Sequence, residues 1–205
     1  LQHYDYHSMP YEELVALFRG LYPGSVADAN SLMDQYDFST CRTLLDVGGG
    51  SGAIAIAITE AHPFIKATVV PITSHFVEEA GASDRVKIIT ADAIHDTLLG
   101  SYDVVVARHV IQVLSAEDSR ALLRNLSAVV RPGGVIHLVG WILDNSRLTP
   151  QKTVGFSLVL LTGYQDGQAY TEQEYYEWLD EAGFEAFERV VMSDGSSILT
   201  AHKAM

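Results

Sequence analysis

Two periodicities alternate along this chain. Short apolar runs of strand length recur at 44–47, 67–70, 86–89, 102–107 and 135–139, and the segments between several of them repeat apolar residues at helical spacing. Leu44, Leu45 and Val47 lead into Gly48, Gly50 and Gly52, after which Ala53, Ile54, Ala57 and Ile58 fall on one helical face. That order predicts a strand, a tight turn and a helix. The run at 102–107 is nearly continuous in valine, as a strand buried on both faces requires. Upstream, a helix is predicted from Pro10, with Glu12 and Glu13 in its first turn and Leu14, Leu17, Phe18 and Leu21 on one face. Pro23-Gly24 should stop it. A second helix is expected over 26–36, capped by Ser25 or Asp28 and striped by Ala29, Leu32, Met33 and Tyr36.

Downstream, 76–80 reads as the end of a helix stopped at Gly81. Ser115 caps another helix that carries Leu122, Leu123, Leu126 and Val129, and Arg131-Pro132-Gly133-Gly134 should close it before a fifth strand. A long excursion follows, with an apolar helix over 156–161. Thr171 and Glu174 have the spacing of a capping box for a helix running to Gly183. Two last strands, 187–192 and 198–202, joined by Asp194-Gly195, form a terminal hairpin.

With 205 residues, 48% of them hydrophobic, the chain can bury a sizeable core. A helical segment over 1–36 and one larger domain over 37–205 are expected. The net charge of −13 would repel nucleic acid and anionic membrane surfaces, and favours a small, uncharged or cationic partner. Cys41 is the single cysteine, so these residues hold neither a disulfide nor a Cys-rich metal site. A cytoplasmic setting is the expectation, and no metal is expected. No basic segment followed by an apolar run opens the chain, and no apolar stretch is long enough to span a bilayer. It begins at Leu1 rather than a methionine, which points to an upstream portion.

The glycine turn carries the candidate chemistry. Glycines let backbone come close to a ligand, and the helix that follows offers unpaired N–H groups. Gly48, Gly50 and Ala53 also satisfy the loose dinucleotide pattern. Asp46, however, would repel a pyrophosphate and can pair with an ammonium group, which S-adenosylmethionine carries beside its sulfonium. An acid at the end of the second strand commonly holds ribose in both classes, yet here Val70 runs into Pro71. Either the ribose is held otherwise or a piece of the natural chain is absent there.

The acid-x-Gly-x-Gly-x-Gly run, DVGGGSG in full, resembles the first motif of class I S-adenosylmethionine-dependent methyltransferases, in their small-molecule O-methyltransferase branch from plants and bacteria. RPGGVIHLVG after an amphipathic helix and the terminal hairpin extend the likeness from about Tyr36 to the C-terminus. The resemblance implies a Rossmann-like, doubly wound α/β fold, mostly parallel with a C-terminal antiparallel hairpin. It implies S-adenosylmethionine as cofactor, held by Asp46, Gly48, Gly50, Gly52, Asp92, Ala93 and Arg108. Asp92 would accept from the adenine amino group, Ala93 and Ile94 would cover the ring, and Arg108 would pair with the cofactor's carboxylate. Against these stand a turn cap for Asp92 and a simple exposed arginine for Arg108. The implied substrate is a small hydroxylated molecule, aromatic or polyketide-like, walled by Trp141, Phe156, Leu160 and Tyr164 unless these are ordinary core. A homodimer is compatible with the likeness, although of the family's usual N-terminal dimerisation domain only the two opening helices are expected within these residues.

The family's catalytic triad is where the chain departs. Its base, a histidine after the fourth strand, aligns with Gln112, and its two orienting glutamates fall near Gly140 and Ala169. Glutamine cannot accept a phenol's proton, so Gln112 is expected to orient the substrate by hydrogen bonding. His109, three residues earlier, is the nearest group able to act as base. The lost triad also admits a second function, a module that binds the cofactor without transferring its methyl group.

Overall fold

Leu44 and Leu45 are neighbours in sequence and belong to opposite hydrophobic layers, and so do Val104 and Val105. This period of two is what a sheet covered on both faces imposes on its strands. The computed structural model describes residues 9–71 and 84–205. Its sheet has seven strands, β1 (Thr43–Val47), β2 (Lys66–Val70), β3 (Val86–Ile88), β4 (Tyr102–Arg108), β5 (Val130–Gly140), β6 (Phe184–Val191) and β7 (Ser197–Lys203). They lie in the order β3-β2-β1-β4-β5-β7-β6. The strands from β3 to β5 are parallel, and β7 runs antiparallel between β5 and β6. The doubly wound sheet with its terminal hairpin is therefore as expected.

Helices α1 (Tyr11–Gln35) and α2 (Ala53–Ala61) supply Ala29, Leu32, Ile54 and Ile58 to the layer containing Leu44, Val104 and Val106. Helices α3 (Ala116–Val129) and α5 (Glu172–Glu181) supply Leu122, Leu126, Trp178 and Leu179 to the layer containing Leu45, Val105 and Ala107. Ser115 caps α3 by accepting from the Asp118 N–H at 3.1 Å, and Thr171 and Glu174 form the capping box of α5. Helix α4 (Gln151–Gly163) is longer than its apolar centre suggested.

Two boundaries differ from expectation. Pro23 does not end a helix: α1 is continuous, because Leu14, Val15 and Phe18 before it and Ala29 and Leu32 after it are all buried. Tertiary burial outweighs the local cost of a proline here. The Arg131-Pro132-Gly133-Gly134 segment is not a separate closing turn but part of β5. It forms an irregularity between the Tyr102↔Val130 and Val104↔Val135 pairs. The helix end expected over 76–80, with its stop at Gly81, lies outside the described residues. No helix among the described residues is long and apolar enough to cross a membrane.

Candidate functional site

The strand order reverses at β1, which lies between β2 and β4, so a crevice opens beyond their carboxyl ends. The glycine turn lies there. Gly48 donates its N–H to Val70 O at 2.9 Å, Gly52 donates to Gly49 O at 2.8 Å, and Gly48, Gly50 and Gly52 all have positive φ. Two of these glycines are also demanded by packing, since a Cβ at Gly48 would come within 2.0 Å of the Val110 side chain and one at Gly50 within 2.4 Å of the Phe18 ring. Helix α2 starts at Gly52 without a side-chain cap. The N–H groups of Gly50 and Ser51 meet no acceptor among the described residues.

Asp46 lies sealed beneath this turn. It has no exposed surface, one carboxylate oxygen accepts from the Ala55 N–H at 3.3 Å, and Oδ1 has no partner among the described residues. A Cβ at Gly49 would meet its carboxyl group at 2.5 Å. Burial pushes this carboxyl up to about 7, against the opposing pull of the Ala55 N–H and Arg108. Asp46 thus braces the turn from inside and presents no surface for the ammonium pairing the sequence suggested.

Beside the turn, Val47 pairs with Ala107, which brings Arg108 and His109 alongside Gly48. Arg108, expected to be available for a ligand carboxylate, is held by α1 instead, with its Nε 2.5 Å from Asp28 Oδ2. Burial raises the Asp28 carboxyl, but His109 and Arg108 outweigh it and hold the group below the ordinary range. His109 has φ 55, a left-handed conformation uncommon outside glycine, and donates its backbone N–H to Val139 O at 2.7 Å. Its ring lies between Asp28, with Nε2 3.8 Å from Oδ2, and Gln112, with Nδ1 3.2 Å from Oε1.

Gln112 sits in a short 3-10 turn, Ile111–Val113, and is only 4% exposed. Its Oε1 accepts from the Trp141 N–H at 2.9 Å as well as facing His109, and its backbone carbonyl accepts from the Gln168 N–H at 3.0 Å. The Gln112 carboxamide, expected to orient a substrate, thus has its carbonyl oxygen occupied internally. Gly140 belongs to the same arrangement, because a Cβ there would come within 2.9 Å of Gln112 Oε1. A side chain at position 140 and the observed pose of Gln112 exclude one another.

The four wall residues do come together. Trp141 stacks on Phe156 with centroids 4.5 Å apart, and Phe156 and Tyr164 pack against a small cluster of Leu143, Leu160 and Ala169. Leu160 is buried core, whereas Trp141, Phe156 and Tyr164 stay half-buried, and the Trp141 ring centroid is 6.5 Å from that of His109. Arg189, almost fully buried and unforeseen, holds the segment behind Trp141 by donating to Ile142 O at 2.7 Å and to Asp144 and Glu172. Asp92 takes the turn-cap arrangement, accepting from the N–H groups of Ile94 and His95 and pairing with the His95 ring. The Ala93 carbonyl accepts from Asn125 Nδ2. Among the described residues no group of His, Cys, Asp and Glu could hold a metal ion.

A profile of the O-methyltransferase domain family matches residues 2–185. The 3-hydroxy-5-methyl-1-naphthoate 3-O-methyltransferase of Streptomyces sahachiroi is 28% identical over 174 residues, 82% of this chain and 50% of that protein. The L-tyrosine C(3)-methyltransferase of Streptomyces lavendulae is 30% identical over 171 residues, 78% of this chain and 46% of that one. Human N-acetylserotonin methyltransferase, solved in complex with SAM, superposes with a TM-score of 0.79 at 23% identity, over 99% of this chain and 63% of that chain. The chain spans about half the length of the curated relatives it matches.

Proposed function

The chain belongs to the O-methyltransferase domain family, and on that premise we propose that it binds S-adenosylmethionine at the glycine turn and methylates a hydroxyl of a small aromatic or polyketide-like molecule. The observation that carries the reading is the adjacency set by the Val47↔Ala107 pairing, which puts the glycine turn beside His109 and the Trp141–Phe156 stack. Cofactor ground and acceptor wall meet at one crevice. The turn suits such a cofactor: the N–H groups of Gly50 and Ser51 meet no acceptor among the described residues, and three positive-φ glycines keep the backbone bare there. The stacked indole and phenyl rings suit an aromatic acceptor, which gains from offset stacking as well as from burial.

Bound there, S-adenosylmethionine would supply an electrophilic methyl carbon, whose new bond to the acceptor oxygen would replace its bond to sulfur and leave that electron pair on a neutral thioether. The chain's own part is to place the hydroxyl in line and exclude water, which supplies much of the rate of such a displacement. Incubation with labelled cofactor and a panel of phenols and hydroxylated polyketides tests this. Label in the acceptor is the expected result. Tight cofactor binding with no transfer to any acceptor would favour the second reading, a non-methylating module, to which Gln112, Gly140 and Ala169 lend support as departures from the family triad.

A further inference from the structure

We propose that His109 is the proton acceptor of this site and that Gln112 is the residue that fixes its tautomer; the inference rests on the methyl-transfer reading above. The orientation of the Gln112 carboxamide follows from its other partner. The Trp141 backbone N–H, 2.9 Å away, can only donate, so the atom facing it is the carbonyl oxygen. That same oxygen faces His109 Nδ1 at 3.2 Å and has no proton to give. Nδ1 therefore carries the imidazole hydrogen, and Nε2 carries the lone pair.

The ring itself lies at the proposed site. His109 directly follows the last residue of β4, alongside the glycine turn, and the Trp141 ring lies beside it. Among the described residues, the charged groups facing its ring are Asp28 from α1 and Arg108 from β4. The β5 side contributes Trp141, which does not titrate. Asp28 Oδ2 is 3.8 Å from Nε2. Arg108 is itself paired with Asp28. The backbone of His109 is held in a left-handed conformation that a non-glycine residue adopts only when its surroundings over-determine it.

The proton balance is simple. The acceptor's O–H bond breaks as the proton passes to Nε2, giving an imidazolium with both N–H groups donated or exposed, while the carbon–oxygen and carbon–sulfur changes are those given above. The ring then returns its proton to solvent. Gln112 touches neither substrate nor cofactor in this scheme and acts as a positioning residue. Its own carbonyl is kept available because position 140 is glycine.

The test joins a spectroscopic and a kinetic measurement. In the cofactor-free full chain, imidazole nitrogen NMR, with the His109 signals assigned by their loss in His109→Gln, should show Nδ1 protonated and Nε2 bare at high pH. Gln112→Leu should weaken that preference. In turnover, the wild-type pH–rate profile should have an acidic limb that His109→Ala removes together with about 10²–10⁴-fold of the rate. Gln112→Glu keeps the acceptor for both donors and adds a negative charge, so the limb should move to higher pH, a shift a merely structural role would not produce. An Nε2–H tautomer overturns the proposal. So does a His109→Ala enzyme that binds S-adenosylhomocysteine and turns over with the wild-type rate and profile. If no acceptor turns over at all, the methyl-transfer reading fails, and the tautomer alone still decides the role given to Gln112.

Discussion

Arg108 Nε lies 2.5 Å from Asp28 Oδ2, joining the end of β4 to the middle of α1 across 80 residues of sequence. Both side chains are largely buried. The pair therefore fastens the first helix to the end of β4 and engages the Nε of Arg108.

Asp28→Ala leaves that guanidinium without its carboxylate. The expected loss is about 2 kcal/mol, below the ~3–5 kcal/mol of a fully buried pair because some solvent reaches both groups. Asp28→Ala combined with Arg108→Leu should recover part of it. Urea unfolding of the three proteins measures the coupling, and an Asp28→Ala chain as stable as wild type would show that the pair does not anchor α1.

Glycines in this chain should sort sharply by surroundings. A Cβ at Gly20 in α1 or Gly155 in α4 meets nothing within 4 Å, so alanine at either should stabilise by about 0.5–1 kcal/mol. Gly48→Ala and Gly50→Ala combine positive φ with a collision against Val110 or Phe18 and should cost about 3 kcal/mol or more. Thermal unfolding of the four variants checks the ordering. Equal effects in the two groups would mean that the turn is looser than its geometry.

The pH dependence of stability should contain two opposed contributions. Burial pushes the Asp46 carboxyl from 3.8 up to about 7, so between those values the folded chain holds the extra proton and stability falls as pH rises. His137, wholly buried against Tyr36 and Phe38, is pushed by burial and by His202 from 6.5 down to about 3; there the unfolded chain holds the extra proton and stability falls as pH drops. Their slopes nearly cancel between pH 4 and 6.5. Asp46→Asn should therefore expose a loss of stability towards acid, and His137→Phe a loss towards neutral pH. Denaturant midpoints at a series of pH values check both signs, and parallel curves for the two variants would refute the assignment.

What was legible in the sequence was local. Alternating burial set the strands, the glycines set the turn, and Ser115 and Thr171 marked their helix starts because caps act over three residues. Pro23-Gly24 misled for the same reason, since the burial that keeps α1 intact comes from residues on both sides of it and from what they pack against. Asp28 could be read as a cap but not as the partner of Arg108, and Arg189 gave no sign of being a buried clasp. Gln112 was recognisable as an unusual residue. Its two donors, Trp141 and His109, converge only when the β4 and β5 ends lie side by side.

The measurement that bears most directly on the whole reading is a calorimetric titration of the chain with S-adenosylhomocysteine, set beside a nicotinamide dinucleotide. A single saturable site for S-adenosylhomocysteine, no heat with the dinucleotide, and loss of the site in Gly50→Val are the expected results. Absence of heat and of any thermal shift with S-adenosylhomocysteine, while the dinucleotide binds, would contradict the assignment of the glycine turn.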